Sequence, residues 1–227
     1  MISMLAGILA GIVLFVLGIY FNPVTGRPLI SPLTISKDPV MDLHYSTVQE
    51  DGLLFTNKKQ NGSKIYPANV SQLSEPALRD TGMLVTLLQD TAGDVVGLGI
   101  KMVSKSETTA LITGAAIENS IWHIYLRSRG TIMIAQTENY WPYIRDVVIP
   151  AHLNSERSWQ GRFHHITTNG PETHGTARVS GGNGLFADLT TSSVESLTVT
   201  HYSSETGSVT VDGNLKIVIP KKVTTTN

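Results

Sequence analysis

Ser208-Val-Thr-Val-Asp-Gly-Asn-Leu-Lys-Ile-Val-Ile219 is the stretch on which the fold turns. Val209, Val211, Leu215, Ile217 and Ile219 share one face with Gly213, while Ser208, Thr210, Asp212, Asn214 and Lys216 occupy the other. A period of two marks a strand with one buried and one solvated side. Asp212-Gly213 alone would read as a hairpin turn, but the alternation passes through it without a change of phase. The segment therefore reads as one long strand bent at a glycine, as barrel strands often are.

Outward from this strand the pattern repeats. Short apolar runs occupy Met83–Leu88, Val95–Val103, Thr108–Thr113, Ile121–Leu126, Thr131–Thr137, Trp159–Thr167, His174–Ser180, Leu185–Thr190 and Val194–His201, most of them separated by Gly, Asn, Asp or Ser. Helix is expected only in short pieces, at Ser71–Asp80 with Pro76 inside it and at Glu138–Val148 with an interruption at Pro142. With strands dominant and no βαβ alternation, the chain reads as all-β, a single antiparallel barrel of about eight to ten strands.

The first residues are different. Met1–Phe21 carries no charged side chain and only Ser3 as a strongly polar one. As a helix it would measure about 30 Å, the thickness of a bilayer's hydrocarbon core. No basic residue precedes it and no small-x-small site ends it, which favours an uncleaved single-pass anchor over a signal peptide. The expected organisation is an anchor at 1–21, an extended stalk over 22–47 with four prolines, a barrel domain at 48–220 and a polar tail at 221–227. The domain is expected to be exported, although Arg27 and Lys37 after the helix pull the other way. Gly7 and Gly11 form a GxxxG through which two helices would pair as a homodimer; chance occurrence in a glycine-containing membrane helix is the competing reading.

Composition narrows the function. Lys and Arg number 17 against 18 Asp and Glu, so the domain lacks the basic field that nucleic acid requires. There is no cysteine, which excludes disulfides, thiolate nucleophiles and Cys-based metal sites. The seven histidines show no HxH or HExxH spacing, and no metal or other cofactor is expected. GxSxG, Walker and dinucleotide motifs are absent too.

Gly175-Thr-Ala-Arg-Val-Ser-Gly-Gly-Asn-Gly-Leu-Phe-Ala187, followed by Ser208-Val-Thr-Val-Asp-Gly-Asn-Leu215, resembles the C-terminal half of allene oxide cyclase and dirigent-like barrels. Consecutive glycines permit positive φ, so the chain reverses tightly and the following Phe packs back on the barrel. The resemblance implies an eight-stranded barrel with a cavity for an apolar small molecule, used for cyclisation or control of coupling. It reaches about a fifth of the chain and transfers no functional residue, and the stretch after Ala187 lacks the further glycine of the family pattern.

Two places stand out as candidate ligand contacts. In Ile121–Leu126, Trp122, Ile124 and Leu126 share one face, while His123 and Tyr125, continued by Arg127, share the other. If the second row faced a cavity it would suit a ligand with an apolar body and an anionic or carbonyl end; the competing and favoured reading makes it a solvated exterior. Glu138-Asn-Tyr-Trp-Pro-Tyr-Ile-Arg-Asp146 concentrates aromatics beside charges. Tyr140 and Trp141 there would form a binding mouth, or simply cap the barrel end, and His165 joins the candidate set.

Three functions remain open. The first, and favoured, is a membrane-anchored barrel binding a small hydrophobic ligand. The second is an isomerase or cyclase on the same barrel, and the third a non-catalytic interaction subunit of a membrane complex. A cavity with buried ionisable groups would favour the second; a filled barrel with an exposed apolar patch would favour the third.

Overall fold

The structure, a computed structural model, describes residues 2–20, 38–46, 53–55, 81–111 and 114–220. The described residues form α1 (Ile2–Tyr20) and one eleven-stranded antiparallel sheet. Its strands are β1 (Val40–Ser46), β2 (Leu53–Phe55), β3 (Thr81–Gln89), β4 (Val95–Lys105), β5 (Ile117–Leu126), β6 (Gly130–Asn139), β7 (Ser158–Ile166), β8 (Thr168–Gly170), β9 (Ala177–Gly181), β10 (Thr190–Ser203) and β11 (Val209–Val218).

The sheet closes on itself. Around the ring the order is β1-β11-β10-β9-β6-β5-β4-β3, and a pairing of His44 with Gln89 joins β1 back to β3. Three strands lie outside this ring: β2, which pairs with β3 over Leu53–Phe55, and β7 and β8. β9 fills the gap between β10 and β6 at one end through Thr190–Ser193 and Ile132–Ala135. At the other end β7 pairs with β10 over Ser196–Ser203, and β8 pairs with β6 at Thr137 and Glu138.

β11 is the unbroken strand its alternation predicts, with Leu215 and Ile217 fully buried. Gly213 is in it for a steric reason: a Cβ there would lie 2.0 Å from the ring of Tyr45, its neighbour on β1. Gly99 does the same for Trp122, whose ring would sit 2.8 Å from a Cβ. Two glycines in strand phase thus leave room for two interior aromatics. The core around them comprises Leu43, Leu88, Trp122, Ile124, Leu126, Ile132, Ile134, Leu215 and Ile217, among others.

Several expectations need correction. Val40–Ser46, at the end of the expected stalk at 22–47, is strand β1 of the barrel, because Leu43 and Tyr45 alternate inward and complete the ring. Its earlier part to residue 37, the segment at 71–80 and the tail 221–227 lie outside the described residues. No strand forms at 108–111; Ala110 and Ala115 make an isolated bridge across a turn. The run at Leu185–Thr190 is not a strand before Thr190, because Gly184–Phe186 is a 3-10 turn entered at a positive φ. Phe186 does pack back into the core, as such a turn predicts.

Helix near Pro142 is present but not interrupted there. α2 (Trp141–Tyr143) passes through a π-helical stretch at Ile144–Val148 into α3 (Ile149–Leu153). Pro142 sits in the first turn, where a missing N–H costs nothing. Pro150 has no N–H for the carbonyl four residues back and crowds it, and the chain widens into π turns just before it. At the N terminus α1 is helical, with its apolar side chains exposed from Met4 to Leu17. The expected membrane span is not shown: among the described residues, no helix is long and apolar enough to cross a membrane.

Candidate active site

β4, β5, β6 and β10 each turn one row of side chains into the barrel, and near one end those rows become polar. On β6 the inward row runs Ile132, Ile134, Gln136, Glu138. On β5 it runs Ser120, Trp122, Ile124, Leu126, and on β4 Lys101 lies in phase with Gly99. On β10, Glu195 stands opposite Leu215 of β11 and so faces inward with it. Lys101 is 4% exposed, while Glu138 and Glu195 are fully buried.

These three charges meet. Lys101 Nζ donates to Glu138 Oε1 at 2.8 Å and to Glu195 Oε1 and Oε2 at 2.9 and 3.0 Å. Glu195 also accepts from Trp122 Nε1 at 3.0 Å, from the Tyr45 hydroxyl and from Gln136 Nε2. Glu138 accepts from Ser120 Oγ at 2.6 Å and from the Tyr140 hydroxyl at 2.9 Å. Thr168 on β8 ties the set to the backbone, donating to Gln136 Oε1 and accepting from Glu195 N–H. The Lys101 ammonium stands 5.5 Å from the centre of the Trp122 ring, which packs against Tyr45.

The electrostatics follow from this arrangement. Burial opposes charge on Lys101, but Glu138 and Glu195 outweigh it, and its ammonium is held more firmly than usual. Burial likewise opposes ionisation of Glu138, and is outweighed by Lys101 and by hydrogen bonds from Lys101, Ser120 and Tyr140, so its carboxyl lies below the usual range. Tyr45 and Tyr140 are pushed well up, by burial first and by the neighbouring carboxylates next. Glu118 pairs with Glu138 across β5 and β6, and burial together with the Glu138 charge raises its carboxyl. Chemically the site offers a fixed carboxylate, a neutral phenol touching it and a second carboxyl biased toward its acid form. Tyr140 and Glu118 are only half-buried and are the members nearest solvent.

Of the residues singled out from sequence, Tyr140 is part of this cluster. Trp141 is buried beside it in the chain, with no hydrogen-bond partner for its Nε1 among the described residues. His165 is buried and donates from Nε2 to the Asn139 carbonyl at 2.7 Å; burial pushes its imidazole pKa down. His123, Tyr125 and Arg127 are exposed. His123 and Tyr125 belong to the outward row, because Trp122, Ile124 and Leu126 are the residues turned into the core, and Arg127 lies on the turn beyond β5. Lys101, Glu195, Tyr45 and Gln136 went unnoticed in the sequence. The signal was phase: Lys101 continues the row of Gly97 and Gly99, and Gln136 and Glu138 continue that of Ile132 and Ile134.

No family model matches the chain. No curated protein matches it in sequence. Among solved structures it is similar to a nonspecific heme-binding cyclase that catalyses a 4 + 2 cycloaddition in neoabyssomicin biosynthesis, at 9% identity and a TM-score of 0.36, over 86% of this chain and 74% of that one. It is also similar to the Diels–Alderase AbmU from Streptomyces koyangensis, at 8% identity and a TM-score of 0.36, over 86% and 76% of the two chains.

Proposed function

We propose that the barrel takes up a small organic molecule with an apolar body and a carbonyl group and controls its isomerisation or cyclisation. The burial of Lys101, Glu138 and Glu195 together inside the barrel carries this reading. Such a cluster costs several kcal/mol per ion in desolvation, and apolar side chains of similar volume are often at least as stable. Ionisable groups held away from their ordinary pKa in an interior are characteristic of places where chemistry is done.

The roles follow from the electrostatics. Lys101, firmly an ammonium, is no nucleophile; it holds Glu138 and Glu195 in place. The neutral Tyr140 hydroxyl, which donates to Glu138, turns its one proton to the substrate carbonyl when substrate enters and draws electron density from it, which eases enolisation or ring closure. Glu118, whose carboxyl is raised by burial and by the Glu138 charge, exchanges a proton with the substrate, while Glu138 is held as a carboxylate by Lys101. The resemblance of 175–215 to allene oxide cyclase and dirigent-like barrels supports a reaction of this kind. A second reading, the interaction subunit, is favoured by the outward face of β3–β6, where Leu87, Leu98, Tyr125, Met102, Ile121 and Met133 are all exposed.

The test begins with native mass spectrometry of the full chain after incubation with a lipid and metabolite extract. A captured compound is expected, and the wild type should convert it to a product of equal mass but different retention. Tyr140→Phe should slow that conversion by about a hundredfold or more while still capturing the compound. A stable chain that captures nothing overturns the proposal and leaves the interaction subunit in front.

We infer also that α1 brings the barrel to a lipid bilayer, as its exposed apolar side chains from Met4 to Leu17 support. Gly7 and Gly11 have open space beside them for a second such helix. The full chain should float with liposomes, and a chain beginning at Asp38 should not; equal behaviour of the two would discard the idea.

A further inference from the structure

At the other end of the barrel the interior opens into a cleft of 260 Å³. Core residues Leu43 and Leu126, with the partly buried Val96, form its floor, and Arg127 and Arg129, both on the turn from β5 to β6, stand at its rim. Two carboxylates line it as well, but each is already engaged. Asp90 Oδ1 accepts the N–H groups of Ala92 and Asp94 within its own turn, at 2.9 and 3.1 Å. Asp42 accepts from Asn214 and faces His44 at 3.4 Å. Among the described residues neither arginine side chain has a hydrogen-bond or ion-pair partner.

The turn that carries the arginines is held from below. Leu185 N–H donates to the Arg129 carbonyl at 2.7 Å, and Thr131 N–H to Asn183 Oδ1 at 3.0 Å. The contact is possible because of glycine: a Cβ on Gly184 would lie 2.4 Å from the Arg129 oxygen, and one on Gly130 2.2 Å from the Asn183 oxygen. The Gly181–Gly184 turn therefore braces the hairpin and positions both guanidinium-bearing residues over an apolar floor.

We propose that this cleft binds the carboxylate end of a medium-chain apolar acid, with Arg127 and Arg129 on the carboxylate and the chain lying on Leu43, Val96 and Leu126. Planar guanidinium groups suit a carboxylate better than any uncharged end group. The volume falls just below the ~300 Å³ at which small-molecule sites usually begin, which limits the ligand to a chain of no more than medium length. This site is separate from the Lys101 cluster and does not depend on the reaction proposed there.

Octanoate, octanol and octylammonium serve as probes, with binding to the full chain measured by calorimetry at physiological salt. Octanoate should bind at least tenfold more tightly than the other two. The double variant Arg127→Gln/Arg129→Gln should erase that preference while leaving octanol unchanged. Val95→Trp, an exposed lining residue, should fill the cleft and block octanoate in a chain that melts as the wild type does. Equal affinity for octanoate and octanol, no binding of octanoate at all, or octanoate affinity unchanged in either variant would overturn the proposal.

Discussion

Lys101 is the residue on which most of the unusual energy of this barrel rests. Lysine is almost never fully buried unless paired, and here one ammonium faces two carboxylates. Removing one partner of a buried ion pair typically costs about 3–5 kcal/mol, because the other charge is left without compensation. Lys101→Met should therefore destabilise the chain by about that amount at neutral pH in urea unfolding. The loss should shrink markedly in acid, as the orphaned Glu138 takes up a proton; a pH-independent loss would mean that lost packing, not stranded charge, is responsible. Tyr45 shows how a neighbour's lack of a side chain matters at the same scale. Its hydroxyl reaches Glu195 only because Gly213 leaves the space its ring occupies.

Two short elements decide what the barrel ends can do. The Gly181–Gly184 turn is pressed against the β5–β6 hairpin, with Gly184 at a φ of 64° and no space for a Cβ. Gly184→Ala should cost about 1–3 kcal/mol from positive φ and close backbone contact. It should also speed amide exchange at Leu185, whose N–H bonds to Arg129; unchanged exchange there would refute the bracing role. At the opposite end, the helical stretch from Trp141 to Leu153 follows directly on Glu138 and Tyr140. Asn139 Oδ1 accepts the N–H groups of Trp141 and Ala116, so one side chain fixes where β6 ends and the helix begins. Tyr140 is thereby set at the boundary between cluster and solvent.

For the molecule as a whole, three of the displaced groups lower stability toward the extremes of pH, while Glu118, raised by burial and by Glu138, acts with the opposite sign and offsets part of the acid loss above 4.5. His165 lies below its ordinary 6.5 because it is buried. Between that value and its folded pKa the unfolded chain binds more protons, so stability falls as pH drops through the interval. Glu138, held below 4.5 by Lys101 despite burial, adds a second loss at lower pH. Lys101 lies above 10.5, so its contribution is complete below that value and disappears as pH rises through the folded pKa. Thermal melting should thus show a plateau from near pH 7 to about 10, with acid decline in two limbs. His165→Gln should remove the first limb alone, and a single-limbed wild-type profile would contradict the assignment.

The sequence carried enough to assign the class of fold and the inner face of its clearest strands. Alternation in 208–219 and in 121–126 is a local property, and the side that carries Trp122, Ile124, Leu126, Leu215 and Ile217 has only one place to go when a sheet closes on itself. It also carried the glycine turn that sends Phe186 into the core. What it did not contain was the meeting of Lys101, Glu138 and Glu195. These residues lie on three strands, and Glu195 is separated from Lys101 by 94 positions. Their convergence depends on strand register and on the way β7, β8 and β9 share the gap between β10 and β6. Register is set by packing across the whole ring, where a shift of one residue would turn each of these side chains to the outside. For that reason the charged interior belongs to the tertiary structure, while the barrel around it was legible along the chain.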